Sequence, residues 1–403
     1  MKISVLYINH VGVFGGSGRS LLELLKILSI GSFQPYVVSQ KGQFINFLEN
    51  EKIPVIATTG ISQFDNTDFS YYRGVRWLVV LRELAFLMPT FTVLIAAKNK
   101  WANIDIIHVN ELTAMPAAIL AKFFFKVPLV VHVRSVQRSM SYGLRGKLLK
   151  HLIRRYVDKL IAIDCTVKES LPKDLPVEIV RNGFPMPSDA KCRVGDVNHL
   201  NFSKEYPMRV GCVGSLIKMK GVYDLVEAAR LCAKDGLFVE IIFVGENMRN
   251  LRGIKGYFLR RLGFAADVRS ELQGLVSKYN LQDRVKINRF TADIKSFYDS
   301  IHVLCFPSHL NACGRPIFEA AFSHLPSIVA INNPLEDTVI DGQTGICIPA
   351  MDPCAILRAI SFLYHNPKEL RHMGNEAYQL AVKNFDIHVN AKKMSDIYLS
   401  LMK

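Results

Sequence analysis

Short apolar runs alternate with segments of helical period along almost the whole chain. In the first half, the runs at 3–8, 36–39, 104–109, 129–133, 160–163 and 177–180 predict strands, with helical patterns between them at 19–28 and 147–157. Positions that are apolar consecutively, rather than at every second residue, fit strands covered on both faces, as in a parallel sheet. Asn182-Gly183 and the Pro-rich stretch at 185–189 break the pattern, and 185–207 has no clear period. The alternation then restarts, predicting strands at 209–213, 239–244, 285–287, 303–306, 327–330 and 345–348. Helices are predicted at 222–234, 317–323, 354–364 and 367–384. The pattern predicts two doubly wound α/β domains facing a cleft, over 1–185 and 208–385. A linker over 186–207 joins them, and a C-terminal helix follows over 386–403. No internal repeat is evident.

The longest apolar run, 77–97, contains Arg82, Glu83 and Pro89. Charges at a bilayer centre are costly. The run therefore reads as a helix against the core or touching a membrane surface, rather than a spanning one. The N-terminal residues run too soon into Gly-rich sequence to read as a signal peptide, and the expected location is the cytoplasm.

Composition narrows the field without choosing within it. Half of the 403 residues are hydrophobic and 21% are charged, which excludes a disordered chain and a disulfide-stapled miniprotein. The eight cysteines are scattered, with no CxxC and no zinc spacing, as expected of reduced core thiols. The net charge is +15, and residues 1–185 carry 23 Lys and Arg against 13 Asp and Glu. That excess suggests an anionic partner: a phosphorylated substrate, an acidic lipid surface or nucleic acid. No nucleic-acid motif is recognisable.

Three elements carry candidate chemistry. The first strand runs into Gly12-Val13-Phe14-Gly15-Gly16-Ser17-Gly18 before a helix, the arrangement that presents free amides to an anion. Neither GxGxxG nor a Walker motif is present. The second domain opens with a strand, then Gly214-Ser215-Leu216-Ile217-Lys218-Met219-Lys220-Gly221, then a helix, placing lysines at the mouth of a turn. Lys220 there could meet a phosphate as a point charge. The strand at 303–306 is followed by Pro307-Ser308 through Asn311, Arg315, Pro316, Ile317, Phe318 and Glu319. Pro316 suits a helix start.

These pieces, in this order, resemble the retaining glycosyltransferases of the "group 1" family (family four), which have the GT-B fold. His132-Val133-Arg134, Val180-Arg181-Asn182-Gly183 and Phe243-Val244-Gly245 add to the resemblance, so that it spans nearly the whole chain. It implies that the first domain is the acceptor side and the second binds a nucleotide sugar. It also implies that Glu319 holds the ribose and that Lys220 and the amides near Ile317 and Phe318 hold the diphosphate. Gly15 and Gly16 would approach that diphosphate, and Gly214 and Ser215 would line it. His132 would line the sugar and acceptor pocket. No metal and no resident cofactor are implied; a UDP or GDP sugar would be substrate. The acceptor would be a saccharide or a polyprenyl-diphosphate-linked lipid.

The sequence departs from the family at three places. Asn311 stands where the first Glu of E-x7-E is usual, Ser215 where an Arg is common, and Arg289 where a Gly is common. Lys218 or Arg315 could supply the missing cation, and Arg289 lies where the base should dock. Two further readings stay open: a GT-B nucleotide-sugar epimerase, and a catalytically degenerate nucleotide-binding or scaffold subunit.

Two basic segments motivate a peripheral role on the inner face of the cytoplasmic membrane. In one, Lys147, Lys150, His151, Arg154 and Arg155 surround an apolar helical stripe. In the other, Arg249, Arg252, Lys255, Arg260 and Arg261 interleave with aromatic residues.

Overall fold

The structure, a computed structural model, describes residues 2–68, 72, 77–101, 103–186, 202–247, 267–291 and 293–402. The chain divides into two compact units, Met1–Pro185 with Phe385–Lys403, and Met186–Asn384. The basic segment at 249–261 and most of the expected linker lie outside the described residues.

The first unit runs β1 (Ile3–Asn9), α1 (Gly16–Ile30), β2 (Phe33–Gln40), α2 (Gln43–Asn50), β3 (Val55–Thr58), α3 (Val79–Ala85), α4 (Leu87–Lys100) and β4 (Ile106–Val109). It continues through α5 (Met115–Phe125), β5 (Leu129–Val133), α6 (Gly143–Tyr156), β6 (Lys159–Ala162), α7 (Cys165–Glu169) and β7 (Val177–Ile179). All seven described strands are parallel, in the order β3-β2-β1-β4-β5-β6-β7. Side chains alternate across the sheet. Val5 and Tyr7 of β1 join a core with α1 and α2, while Leu6 and Ile8 join a second core with α4, α5 and α6. Both faces are dry, which explains the unbroken apolar runs. β3 escapes the sequence pattern because it is four residues long at the sheet edge and only Thr58 is fully buried.

The second unit runs β8 (Met208–Val213), α8 (Val222–Lys234), β9 (Val239–Val244), α9 (Val268–Lys278), β10 (Val285–Asn288), α10 (Ile294–Tyr298), β11 (Val303–Phe306) and α11 (Arg315–Ala321). After them come β12 (Ser327–Ala330), β13 (Gly345–Ile348), α12 (Pro353–His365) and α13 (Pro367–Phe385). Its parallel sheet has the order β10-β9-β8-β11-β12-β13. Asp267, Asp293 and Asp352 each accept a hydrogen bond from an amide three residues on, capping α9, α10 and α12.

The last helix, α14 (Ile387–Leu401), belongs to the first unit. Its Ala391, Met394, Ile397 and Tyr398 complete the core of α1 and α2. The chain re-enters that unit where the Phe184 amide donates to the Phe385 carbonyl and the Ile387 amide to the Phe184 carbonyl. Gly183 is needed there, since a Cβ would lie 2.6 Å from the Ile387 Cα.

Candidate functional site

In a doubly wound sheet, a crevice opens beyond the carboxyl ends of the strands where the order reverses. That point lies between β8 and β11 in the second unit and between β1 and β4 in the first. The sequence motifs fall on the loops at these points.

In the second unit, the loop after β8 is built by close backbone approach. Gly214 has φ +140° and donates its N–H to the Val244 carbonyl. A Cβ on Gly245 would lie 1.8 Å from the Gly214 carbonyl oxygen. Ser215 and Lys218 are exposed on this loop. Lys220 is half-buried, with Nζ 4.5 Å from the centroid of the Phe306 ring. Among the described residues no carboxylate pairs with it. Burial holds its pKa below the usual lysine range, opposed by the nearby Cys212 thiol. A desolvated ammonium without a counter-charge can be compensated by a bound anion.

The loop after β11 locks onto this one. The His309 amide donates to the Met219 carbonyl, and His309 Nε2 lies 2.6 Å from Asp224 Oδ2 in the first turn of α8. Neither His309 nor Asp224 was singled out in the sequence, because their 85-residue separation leaves no local pattern. Asn311 is exposed, and its Oδ1 accepts the Asn332 amide at 2.7 Å, joining the loops after β11 and β12.

Glu319 is held from two sides. Its Oε1 accepts from Arg315 Nε at 2.6 Å and its Oε2 from the Tyr298 hydroxyl at 2.9 Å; the Arg315 and Glu319 side chains are each 10% exposed. Arg315 therefore stands against Glu319 here, one helical turn away. Pro316 lies in the first turn of α11, and the Ile317 amide is bonded to the Gly314 carbonyl. Arg289 and Phe290 are exposed beyond β10. Beside them Arg269, which no sequence signal marks, donates to the carbonyls of Gly245, Ile287 and Asn288, tying the ends of β9 and β10 together.

In the first unit, the Gly-rich stretch splits into two roles. Gly12 is structural: a Cβ would lie 2.2 Å from the Lys41 carbonyl oxygen, and the Gly12 carbonyl accepts the Phe44 amide. Gly15 and Gly16 are exposed, and nothing lies within 4 Å of where a Gly15 Cβ would be. Asn110 Nδ2 donates to Asn9 Oδ1 across the reversal point, and His10 Nε2 lies 3.3 Å from the Thr113 hydroxyl.

Behind these loops lies a buried polar chain. His132 is 2% exposed and lies edge-on to His108, ring centroids 5.6 Å apart. Its Nδ1 lies 3.5 Å from an Arg134 nitrogen; Arg134 also donates to Asn110 Oδ1 at 2.8 Å and Asn182 Oδ1 at 2.6 Å. His108 Nδ1 meets the Tyr398 hydroxyl at 2.7 Å, and Tyr398 in turn meets Tyr7 at 3.0 Å. Burial pushes His108 down to about 3 and His132 well below the usual histidine range, with Arg134 adding to both. Glu111 accepts from the Leu112 amide and the Ser135 hydroxyl, yet burial outweighs these bonds and pushes its carboxyl up to about 7. Among the described residues no group of His, Cys, Asp and Glu has metal-binding geometry.

Residues 200–380 match the family described as Glycosyl transferases group 1. The capsular polysaccharide biosynthesis glycosyltransferase CapM of Staphylococcus aureus is 21% identical over 48% of this chain and 46% of its own length. The lipopolysaccharide core biosynthesis mannosyltransferase LpsB of Rhizobium meliloti is 24% identical over 73% of this chain and 79% of its own. Among solved structures, Anabaena Alr3699/HepE in complex with UDP-glucose superposes with a TM-score of 0.74 at 20% identity, covering 99% of this chain and all of that one. Sucrose-phosphate synthase from Thermosynechococcus elongatus gives 0.73 at 18% identity, over 100% of this chain and 99% of that one. Residues 200–380 are thus similar to the glycosyl transferases group 1 family, and the two parallel-sheet units have the GT-B fold.

Proposed function

We propose that the protein transfers a sugar from a nucleotide-diphosphate sugar to a saccharide or lipid-linked acceptor in the assembly of a surface polysaccharide or glycolipid. The observation that carries this reading is Lys220, a half-buried cation without a carboxylate partner among the described residues, at the strand-order reversal of the second unit. The nucleotide would lie on the second unit, with Glu319 on the ribose hydroxyls and Lys220 on the diphosphate. Lys218 and Ser215, exposed on the same loop, would reach the outer phosphate oxygens. Arg289 and Phe290 would flank the base. UDP is the first nucleotide to try, since HepE structures are described with UDP and UDP-glucose.

The chemistry breaks the bond between the anomeric carbon and the diphosphate oxygen and forms one to an acceptor hydroxyl oxygen, whose proton would pass to the departing diphosphate. Negative charge gathers on the leaving diphosphate, and a cation already desolvated beside it lowers that barrier without reorganising. Retention of anomeric configuration and independence from metal follow the family resemblance and form part of this proposal. On the first unit, Gly15 and Gly16 leave room for a phosphate near the backbone, and Arg134, fixed by Asn110 and Asn182, is the group through which buried His132 would act on a sugar.

The test is thermal stability against UDP, GDP, ADP, CMP and dTDP, with Lys220→Ala and Glu319→Ala alongside. A ligand at about a hundred times its Kd adds about 2.7 kcal/mol. A selective shift by one nucleotide, lost in both variants, supports the donor site. No shift from any nucleotide points to the scaffold reading. Isomerisation of the bound sugar without an acceptor points to an epimerase.

A further inference from the structure

The most apolar 18-residue window of the α3–α4 segment, Val79–Lys100, has a mean hydropathy of 1.8, yet only 22% of it is buried. One face of α4, with Val93, Leu94 and Ala97, is rooted in the core of the first unit. The other side carries Leu78, Leu81, Leu84, Met88, Phe91 and Ile95, exposed by between 37% and 71%. Their spacing of three or four residues sets them in one stripe along the helices. The stripe continues sideways. The Phe91 ring meets Phe124 of α5 edge-on at 5.2 Å, and the neighbouring Phe123, itself exposed, lies 5.9 Å from Tyr156 of α6. At the start of α6, Tyr142 and Leu144 are almost wholly in solvent. An apolar patch of this extent on a folded surface marks a site of interaction.

Charge identifies the partner. Helices α3 to α6 carry nine Lys and Arg and a single acid, Glu83, which is buried against Arg82. Asp158 takes up Lys122, and Asp174 takes up Lys150 and Arg154. Lys98, Lys100, Lys147 and Arg155 remain exposed. An apolar stripe flanked by cations matches acyl chains beneath anionic headgroups.

We propose that the first unit docks on an anionic lipid bilayer through the α3–α4 stripe, with both helices lying in the plane of the interface and the cations of α4 and α6 against the headgroups. The helices lie on the membrane rather than cross it, because crossing would strip Val93, Leu94 and Ala97 from the core. The inference goes beyond the transfer reaction and holds whatever the second unit binds.

The chain's two tryptophans supply the readout. Trp77, 51% exposed, stands at the head of the stripe, and Trp101, 7% exposed, stands in the core just beyond α4. The full-length protein, as wild type and as Trp101→Phe, is mixed with vesicles of phosphatidylcholine alone or with a third phosphatidylglycerol. Expected are co-sedimentation with the anionic vesicles and a blue shift of Trp77 emission with protection from iodide, both weakened by salt. The triple variant Leu81→Ser, Leu84→Ser, Met88→Ser should lower the bound fraction about tenfold while keeping the melting temperature and any nucleotide-induced shift. Equal binding to neutral and anionic vesicles, an unmoved Trp77 spectrum, or a triple variant that pellets like wild type would overturn the proposal. A lipid-free dimer that the triple variant dissociates would also overturn it, making a second copy of the chain the occupant. The nucleotide titration, run separately, keeps failure here distinct from failure of the donor site.

Discussion

Gly221 lies so close to Pro307 that a methyl group on its α-carbon would stand 1.8 Å from the Pro307 carbonyl oxygen. Its φ of +67° is a conformation that L side chains adopt at a cost of about 1–2 kcal/mol. The two constraints fall on one residue because the loops after β8 and β11 must touch for Lys220 to turn over the Phe306 ring. Gly221→Ala should therefore lower stability by about 2 kcal/mol or more. It should also weaken nucleotide binding, since the two loops must part. Chemical denaturation and UDP titration of the same sample check this.

Lys220 pulls stability and binding in opposite directions. Its ammonium is desolvated, with no carboxylate partner among the described residues, so Lys220→Met removes a cost of folding together with the proposed phosphate contact. The apo variant should melt no lower than wild type, and the shift produced by UDP should vanish. A variant that melts much lower than wild type would assign Lys220 a structural role instead.

Tyr298 acts on Glu319 through one hydroxyl. Tyr298→Phe removes a bond worth about 1 kcal/mol, so the donor KM should rise about fivefold while kcat holds. Equal falls in kcat and kcat/KM would place Glu319 in the transition state rather than in ground-state binding.

The buried titratable groups set opposing pH dependences. The folded chain keeps His10 and His108 neutral down to about 4 and about 3, whereas the unfolded chain protonates them below about 6.5. Stability is therefore lost as pH falls through that window. Glu111 stays protonated up to about 7 when folded, so its contribution is lost as pH rises from about 4.5 to 7. Between about 4.5 and 6.5, Glu111 offsets one histidine. Glu111→Gln should steepen the acid loss of stability by up to about 1.4 kcal/mol per pH unit, read from denaturant melts across that range. An unchanged slope would mean that Glu111 is ionised in the fold.

The sheets were legible in the sequence because strands buried on both faces leave unbroken apolar runs, and the loops were legible because glycines mark close backbone approach. Edge strand β3 was not, since four residues of which only Thr58 is buried leave no run to read. The partners of Arg134 and His309 were also hidden: Asn110, Asn182 and Asp224 lie 24, 48 and 85 residues away, and local pattern carries no long-range pairing. Arg315 is different. Its spacing of four from Glu319 already offers an ion pair on one helix face, whereas as a phosphate cation it was one of two alternatives with Lys218.

The return of α14 gives the chain an order of completion. Tyr398 bonds Tyr7 across 391 residues. At ribosomal speeds of about 5–20 residues per second, it emerges roughly 20 to 80 s after its partner. The second unit can finish folding while the first still has an open slot beside Tyr7 and His108. During synthesis the older half of the molecule is thus the later to mature. Removing the last helix would leave the second unit intact and strand the first half-built.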